Sequence, residues 1–345
     1  MIRICNSLAV NGYSVLLVGA GFRNSKVPVA QAFRQKRIQV LFQKGPAFYF
    51  EYNTRLFFYL LFSKSDGICS IDLDTIMAGY FAGILKGSKR IYDAHEYFSQ
   101  QKEVINRPRI YRAWHWIERT FVPRFTNGYT VSRSIAEEFQ RLYKVNYETI
   151  RNLPVLKEYR PASKGERFIL YQGAVNEARG LEALVPAMKN VNATLLIYGD
   201  GNFTAQTVQL ISEHRLQDKV ILKGKLLPAD LNNITSTAYI GINLVENHGL
   251  NQYYSLANKF FDYIMCRVPQ VTMNFPEYAA INNQYEVALL IDEISAEAVA
   301  GAINELLNND ILHARLSANC AEAAKEFNWN NEEQKLLAFY KNILE

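Results

Sequence analysis

The feature that most constrains the fold of this chain is a regular alternation of short apolar runs with segments of helical periodicity. Runs at residues 15–18, 168–172, 194–198 and 240–244 are apolar along most of their length, which is typical of strands buried on both faces. Further strands are expected at Ile38–Phe42 and Ala288–Ile291. Helical segments fill the intervals, and Asp74 and Ser132 are expected to cap the helices over Thr75–Leu85 and Ser134–Leu142. Strands that alternate with helices in this way favour parallel sheets. The sequence therefore predicts an α/β protein.

One interruption of this alternation, between residues 153 and 166, indicates a domain boundary. Two prolines and a charged run break the periodicity there, and 345 residues suffice for two domains of about 150 residues each. We expect a Rossmann-like domain over residues 1–155 and a second one over residues 156–327. A helix over residues 328–345 is expected to pack back toward the first domain. Doubly wound domains bind ligands beyond the carboxyl ends of their strands, so functional residues are expected there.

The net charge of +5 conceals an asymmetry between the two halves. Residues 1–160 carry 24 Lys and Arg against 12 Asp and Glu, whereas the remainder of the chain is acidic. A basic half suggests an anionic partner such as a membrane surface, although a solvated basic surface explains it equally well. Clusters at Lys86–Arg90 and Arg107–Arg112 and the apolar run Leu56–Phe62 predict contact with an anionic membrane; a core helix is the alternative for that run. The dispersed basic residues follow no known nucleic-acid-binding pattern, so nucleic acid is not expected.

Three further observations bear on the location of the protein. No run approaches the roughly 18 apolar residues of a membrane-spanning helix. The charged start at Met1–Asn6 is not followed by the apolar core of a signal peptide. The four cysteines are far apart with no paired spacing, as in reduced proteins. We expect a cytoplasmic protein that attaches peripherally to the inner face of the cell membrane.

Two glycine turns after predicted strands of the second half are candidate phosphate sites. Gly173 follows the strand at 168–172, and Arg179 opens the next helix, where its charge would add to the helix dipole. Gly199 follows the strand at 194–198. Glycine at a strand end also serves ordinary turns, so neither turn is decisive alone. Neither turn is a Walker loop, and no Gly-x-Gly-x-x-Gly fingerprint is present, which argues against a nucleotide hydrolase or a nicotinamide dehydrogenase.

The most informative segment runs from Gly249 to Pro269. A strand ends at Leu244, a polar loop follows, and a helix is predicted to begin near Ser255. Lys259 falls in the first turn of that helix and Asp262 one turn later, on the same face. A lysine near a helix N-terminus is electrostatically unfavourable unless an anion is present. The segment therefore predicts a bound phosphate, with a solvated Lys259 as the alternative.

Several motifs together resemble one enzyme family. Ser255–Tyr263 resembles the donor-binding signature of retaining glycosyltransferases of the GT-B fold, family 4, in the bacterial surface-glycan subgroup that reads roughly Ser-Leu-Pro-Asn-Lys-Leu-Phe-Glu-Tyr. The Asp-Ala-His-Glu and Val-Ser-x-Ser-Ile-Ala segments of that subgroup match Asp93–Glu96 and Val131–Ala136. Its Asn-x-Pro hinge matches Asn152–Pro154, and its closing tryptophan-to-tyrosine segment matches Trp329–Tyr340. The matches follow the expected order along the whole chain.

This resemblance implies two Rossmann-like domains and transfer of a sugar with retention of anomeric configuration. The donor would be a UDP- or GDP-sugar and the acceptor a glycan or a lipid-linked glycan, in polysaccharide biosynthesis. No metal or other cofactor is expected, because cations and helix N-termini stabilise the departing diphosphate. The donor-binding residues that the resemblance implies are Gly173, Arg179, Gly199, Asn258, Lys259 and Asp262.

The resemblance also implies catalytic residues and includes one departure. Asp262 stands where the family has the second Glu of a Glu-x7-Glu pair, which hydrogen-bonds the ribose hydroxyls, and His95 would reach the transferred sugar from the first domain. The first acidic position of that pair is Tyr254 here. Glu246, at the end of its strand, is the candidate substitute. His95 and Glu246 are therefore the candidate catalytic residues.

Two other function classes remain open at this point. A nucleotide-sugar epimerase can share the two-domain architecture, although the Arg179, Lys259 and Asp262 set favours a transferase. A GT-B protein that has lost catalysis is the second alternative, because Tyr254 replaces a carboxylate. Nothing in the sequence identifies the sugar, the base or the acceptor.

The start of the chain gives a further expectation for the first domain. A Rossmann-like domain opens with a buried strand, which is central in the usual strand order, whereas this chain opens inside a predicted helix at Ile2–Val10. The first domain is therefore expected to lack its first strand, with Met1 interpreted as an internal methionine. We expect a gap or an unpaired edge beside Val15–Val18, with weak or no transfer activity.

Overall fold

The computed structural model describes residues 1–25, 28–156 and 166–345. The chain divides into two compact units, Met1–Arg151 with Asn331–Glu345, and Asn152–Asn330. The sequence predicted the boundary after residue 155. The predicted break between 153 and 166 lies largely outside the described residues.

The first unit alternates helices with strands along most of its length. Its elements are α1 (Ile2–Val10), β1 (Leu16–Gly21), β2 (Arg34–Gln39), α2 (Gly45–Phe62), β3 (Gly67–Ile71), α3 (Ile76–Lys86), β4 (Lys89–Ala94), α4 (Lys102–Ile105), α5 (Pro108–Phe121), β5 (Asn127–Thr130), α6 (Arg133–Tyr143) and β6 (Glu148–Thr149). The run at Leu56–Phe62 forms the end of α2.

The second unit continues the alternation and the chain ends in helices. The elements are β7 (Phe168–Gln172), α7 (Leu181–Ala187), β8 (Thr194–Tyr198), α8 (Thr204–Glu213), β9 (Val220–Gly224), α9 (Pro228–Thr235), β10 (Ile240–Asn243), α10 (Leu250–Tyr253), α11 (Asn258–Met265), β11 (Gln270–Met273), α12 (Pro276–Tyr285), β12 (Ala288–Ile291), α13 (Ala296–Asn308), α14 (Asp310–Glu326) and α15 (Trp329–Leu344). From Asn331 onward, α15 belongs to the first unit.

The strands of the first unit form two separate parallel sheets. Strands β3, β4, β5 and β6 form a four-stranded sheet, while β1 and β2 form a two-stranded one. In the described part of the chain, β1 is hydrogen-bonded to β2 alone, with Leu16 opposite Arg34 and Gly21 opposite Gln39. The expected unpaired edge beside Val15–Val18 is therefore confirmed.

The open edge of β1 also accounts for the difference between its predicted and observed burial. A fully buried strand was expected at Val15–Val18, but Leu16 to Ala20 are only half-buried. Helix α2 packs against α3 and shields one side of the pair, where Tyr52, Leu56 and Ala78 form a small core with Val18 and Ala20. Backbone pairing on one side leaves the strand partly open to solvent.

Two other local predictions in the first unit were wrong. A strand was expected at Ile38–Phe42, but β2 begins earlier and carries Arg34 and Arg37, because most side chains of this edge strand are exposed and need not be apolar. Asp74 was expected to cap α3, but the N-cap is Thr75, whose hydroxyl donates to the Ile71 carbonyl oxygen. The predicted cap of α6 is confirmed, since the Ser132 hydroxyl accepts the Ile135 N–H.

The second unit is one six-stranded parallel sheet in the order β12-β11-β10-β7-β8-β9. Strands β7 and β10 are central, and the sequence reverses direction between them, which places a topological switch point at their carboxyl ends. The buried residues of β7, β8, β10 and β11 form the main core with α7, α11 and α13. Strands predicted from apolar runs lie within a residue or two of these bounds.

No helix in the described ranges is both long enough and apolar enough to span a membrane.

Candidate functional site

Gly173 and Gly199 lie side by side at the carboxyl ends of β7 and β8. The Gly173 N–H donates to the Tyr198 carbonyl oxygen at 3.0 Å. A Cβ atom built on Gly199 would lie 1.8 Å from the Gly173 carbonyl oxygen, so this approach requires glycine. Gly173 is exposed, and a Cβ atom there would meet nothing within 4 Å. Its backbone is therefore open to a ligand above the switch point.

Arg179 is held in place by contacts on either side of it. A Cβ atom on Gly180, whose φ is +73°, would lie 2.6 Å from the Cβ atom of Leu244. The backbone N–H of Glu246 donates to the carbonyl oxygen of Ala178 at 3.0 Å. These contacts fix the loop before α7 against the end of β10. The half-buried Arg179 consequently lies at the carboxyl edge of the sheet.

Lys259 is the second residue of α11, a helix that begins three residues later than the sequence predicted. Its ammonium lies 4.2 Å from the centre of the Tyr171 ring. The N-cap residue Ala257 has no side-chain acceptor, so nothing on the side chain satisfies the first N–H groups of the helix. The single turn of α10 occupies part of the segment that was expected to be a polar loop.

The charge of Lys259 is poorly compensated in the free protein. Burial lowers the pKa of Lys259 to about 7, and repulsion from Arg179 contributes to this shift. Among the residues that the structure describes, no carboxylate lies within ion-pair distance of Lys259 or Arg179. Two cations and a helix N-terminus thus converge without a counter-charge, an arrangement suited to an anion.

Asp262 is positioned by a chain of polar side chains that the sequence analysis missed. The Gln172 amide nitrogen donates to the Asp262 carboxylate at 3.1 Å, and the Thr235 hydroxyl donates to the Gln172 amide oxygen at 2.6 Å. Gln172 is buried at the carboxyl end of β7, directly before Gly173. The sequence signal for this role of Gln172 is an amide residue at the end of a predicted strand, directly before the candidate phosphate turn.

The other two predicted residues of the second unit have different surroundings. The Glu246 carboxylate forms an ion pair with the imidazole of His248, a residue that the sequence analysis did not select. Asn258 is exposed, and its side-chain oxygen lies 3.5 Å from the side-chain nitrogen of Asn152. The structure therefore brings Gly173, Arg179, Gly199, Lys259 and Asp262 to one edge of the sheet, with Glu246 linked to that edge through its backbone.

His95 lies in the first unit, just beyond the carboxyl end of β4. Its Nε2 atom is 3.3 Å from the Asp93 carboxylate, and the Tyr129 hydroxyl donates to the same carboxylate oxygen at 2.8 Å. Nε2 also lies 2.9 Å from the Met1 sulfur. Burial acts to lower the pKa of His95, but the hydrogen bond and the charge of Asp93 outweigh it and raise this pKa.

Asp72 adds a second carboxylate to the surroundings of His95. It follows β3, and its carboxylate accepts the Glu96 N–H at 3.1 Å. Burial raises the pKa of Asp72 to about 7, against the opposing effect of the His95 charge. Neither Asp72 nor Asp93 was selected from the sequence. Asp72 comes close to His95 through the pairing of β3 with β4, whereas Asp93 lies only two residues before His95, at the end of β4.

Across the described ranges, no group of three or more His, Cys, Asp or Glu residues is placed to hold a metal ion. That the reaction needs no metal stays a prediction.

The sequence of the chain is similar to those of known glycosyltransferases, most clearly in the second unit. Residues 156–327 match the family model for glycosyl transferases group 1. A phosphatidyl-myo-inositol mannosyltransferase of Mycobacterium leprae is 24% identical over 208 residues, which are 58% of this chain and 52% of that protein. The aligned region thus spans about half the length of this curated relative.

Solved structures are similar over almost the whole chain. Sucrose-phosphate synthase from Thermosynechococcus elongatus has a TM-score of 0.79 at 18% identity, covering 99% of this chain and 91% of that one. HepE from Anabaena, in complex with UDP and glucose, has a TM-score of 0.77 at 12% identity, covering 99% and 95%. At these identities the likeness shows the fold alone.

The solved structures define the architecture of the protein. The chain has the GT-B fold of two Rossmann-like domains, as predicted. Within its second unit, residues 156–327 are similar to glycosyl transferases group 1.

Proposed function

We propose that the chain is a glycosyltransferase that moves a sugar from a nucleotide-sugar donor to a glycan or a lipid-linked acceptor, with retention of anomeric configuration. The observation that carries the proposal is the convergence of Arg179 and Lys259 on the uncapped start of α11, without a counter-charge in the described residues. A diphosphate supplies that charge. The matched family and the UDP in the HepE structure support a UDP-sugar donor, with a GDP-sugar as the alternative.

In this proposal the second unit binds the donor and stabilises the leaving group. The donor diphosphate lies between Gly173, Arg179 and the start of α11, with Asn258 at its edge. As the bond from the anomeric carbon to the diphosphate breaks, negative charge grows on the leaving oxygens. Arg179 and Lys259 stabilise that charge, so they lower the energy of the transition state more than that of the bound donor.

The remaining predicted residues have roles on the nucleoside and the sugar. Asp262, oriented by Gln172, accepts hydrogen bonds from the ribose hydroxyls. His95 contacts the transferred sugar, and its raised pKa keeps more of the imidazole protonated near neutral pH. Glu246, whose carboxylate is paired with His248, substitutes for the acidic residue absent at Tyr254. The reaction proceeds without a metal ion, at the cytoplasmic face of the membrane, in surface-glycan biosynthesis.

The direct test is turnover of a panel of UDP- and GDP-sugars, with product analysis of the anomeric configuration. One donor is expected to be cleaved, and Arg179→Ala is expected to reduce that cleavage at least tenfold, since a charge-assisted contact contributes about 1.5–3 kcal/mol. Arg315→Ala is the control, because it removes an arginine that forms a surface ion pair with Glu286 and is not part of the proposed donor site. Binding of neither UDP nor GDP would refute the proposal.

A donor-binding protein with impaired transfer is the second candidate. The unpaired edge of β1 in the first unit favours it, because the incomplete sheet lies in the unit that carries His95. This candidate predicts nucleotide binding without turnover of any donor. An epimerase instead predicts conversion of the donor sugar without any acceptor, which the same product analysis detects.

A further inference from the structure

The first unit contains a large apolar cavity that the proposed reaction does not use. The cavity measures about 1000 Å³ and lies between α2, α3 and α5. Its walls include Phe57 of α2, Phe81 of α3 and Trp114 of α5. That volume is at the upper end of the range for small-molecule pockets.

The cavity is open to solvent and is not part of a closed core. In α2 only Tyr52 and Leu56 are buried, although that helix is apolar on most of its surface. Phe50 on α2 and Leu85 on α3 both line the cavity and are 77% and 66% exposed. Surfaces of this size and composition on a soluble protein mark sites of contact with an apolar partner.

Helix α5 carries its apolar stripe toward the cavity. Ile110, Ala113, Trp114 and Ile117 have the i, i+3, i+4, i+7 spacing of one helix face, and all four line the cavity. The stripe that would normally pack into a core therefore forms a wall of an open groove. Such a groove fits a flexible apolar chain.

The charges at the rim indicate the chemistry of the partner. Arg107 and Arg109 line the cavity where α5 begins and are exposed. Within the described ranges, neither arginine has an ion-pair partner. Glu103 is the one acidic residue among the lining residues, and Arg112 lies one turn beyond Arg109. An apolar groove with an excess of unpaired arginines at its mouth matches an anionic head group joined to an apolar chain.

We infer that this cavity takes the acyl chain of an anionic bilayer phospholipid, whose phosphate contacts Arg107 and Arg109. A chain drawn into the groove attaches the first unit to the membrane more strongly than surface charge alone, because it removes the exposed apolar side chains of the groove from water. The inference goes beyond the proposed sugar transfer and does not depend on the donor site.

Tryptophan quenching by brominated lipid tests the inference directly. Trp114 lines the cavity, Trp116 is 61% exposed on the same helix, and Trp329 is buried in the second unit. In a Trp116→Phe background, vesicles of phosphatidylglycerol with chains brominated near their ends are expected to quench Trp114. Phosphatidylcholine vesicles with the same brominated chains are expected to quench it much more weakly.

Two variants separate occupation of the cavity from adsorption to the surface. Ala113→Phe fills the cavity from an exposed position on α5 and is expected to reduce the quenching at saturating lipid. Arg107→Glu with Arg109→Glu is expected to raise the lipid concentration for half-maximal quenching at least about 25-fold, at roughly fivefold for each charge. Arg34→Glu with Arg37→Glu, at two exposed positions of β2, makes the same change in net charge as a control.

Four results would overturn the inference. Vesicle binding without quenching of Trp114 would show adsorption only, as would quenching that Ala113→Phe leaves unchanged. Equal quenching of Trp114 by phosphatidylglycerol and phosphatidylcholine would show that the rim arginines do not select the lipid. The same conclusion would follow if the Arg107/Arg109 variant and the Arg34/Arg37 control needed equal lipid concentrations for half-maximal quenching. UDP and GDP binding measured on each variant verifies its folding and keeps a failure of the donor site separate from a failure of the lipid site.

Discussion

Replacing Lys259 with methionine tests the charge balance on which the proposed donor site depends. Burial and the neighbouring Arg179 lower the pKa of Lys259 from 10.5 to about 7. At about 1.4 kcal/mol for each pH unit, keeping this ammonium charged in the free protein costs at most roughly 4–5 kcal/mol. A bound diphosphate supplies the missing negative charge and raises the pKa again.

The sign of the pH dependence follows from the lowered pKa. Between about pH 7 and pH 10.5, the unfolded chain holds a proton on this lysine that the folded protein does not. The free energy of unfolding of the free protein therefore rises with pH across this window, and Lys259→Met removes that rise. Binding of the diphosphate returns the proton, so nucleotide affinity falls as pH increases above about 7.

Calorimetry in buffers of different ionisation enthalpy measures this proton directly. At about pH 8 the terminal phosphate of UDP or GDP is already ionised, so proton uptake close to one per nucleotide is assigned to Lys259. Lys259→Met is expected to abolish the uptake and to weaken binding by about tenfold or more. Lys189→Met changes an exposed lysine that precedes β8, at the opposite edge of the sheet, and is expected to change neither quantity.

Either of two results would refute the reasoning. One is nucleotide binding by the wild-type protein without proton uptake at about pH 8. The other is an equal affinity of the wild-type protein and the Lys259→Met variant. Both would mean that the anion is bound elsewhere.

Three further predictions concern individual residues of the two units. Gly199→Ala is expected to destabilise the protein by about 1–3 kcal/mol and to abolish nucleotide binding, whereas Gly301→Ala, which meets nothing within 4 Å, serves as the control in thermal unfolding. Asp262→Asn is expected to weaken binding of UDP or GDP but not of pyrophosphate, and an equal loss for both ligands in calorimetry would contradict a ribose contact. Asp93→Asn is expected to lower the pKa of His95 in an NMR titration, and an unchanged value would show that Asp93 does not raise it.

The fold of the second unit was predictable because its strands are buried on both faces. Phe168–Gln172 and Ala288–Ile291 were predicted with the bounds that the structure has, since continuous apolar runs end sharply at polar turns. Strand β2 was misplaced because most of its residues are exposed in a two-stranded sheet, so that Arg34 and Arg37 give no apolar signal. The sequence signal thus weakens where a strand has solvent on one side.

The candidate site was predictable where its residues act through local backbone. Lys259 was selected because a cation at a helix start is unfavourable by itself, and this argument needs no tertiary structure. Gln172 and Asp72 were missed because their roles depend on which elements are neighbours in the fold, whereas Asp93 lies two residues before His95 and was missed despite being close in sequence. Gln172 reaches Asp262 from a different element, 90 residues away in sequence.

The split sheet of the first unit has a consequence for how the protein opens locally. Strands β1 and β2 are joined to the rest of that unit through side-chain packing of α2 on α3, without backbone pairing to β3 in the described residues. Elements with few cooperative hydrogen bonds open at a lower free energy than the core of a sheet. Amide hydrogens of β1 are therefore expected to exchange with solvent well before those of β4, which has partners on both sides. Disorder in this ribbon would leave the six-stranded sheet of the second unit intact, so the proposed donor site is expected to persist while the ribbon opens and closes.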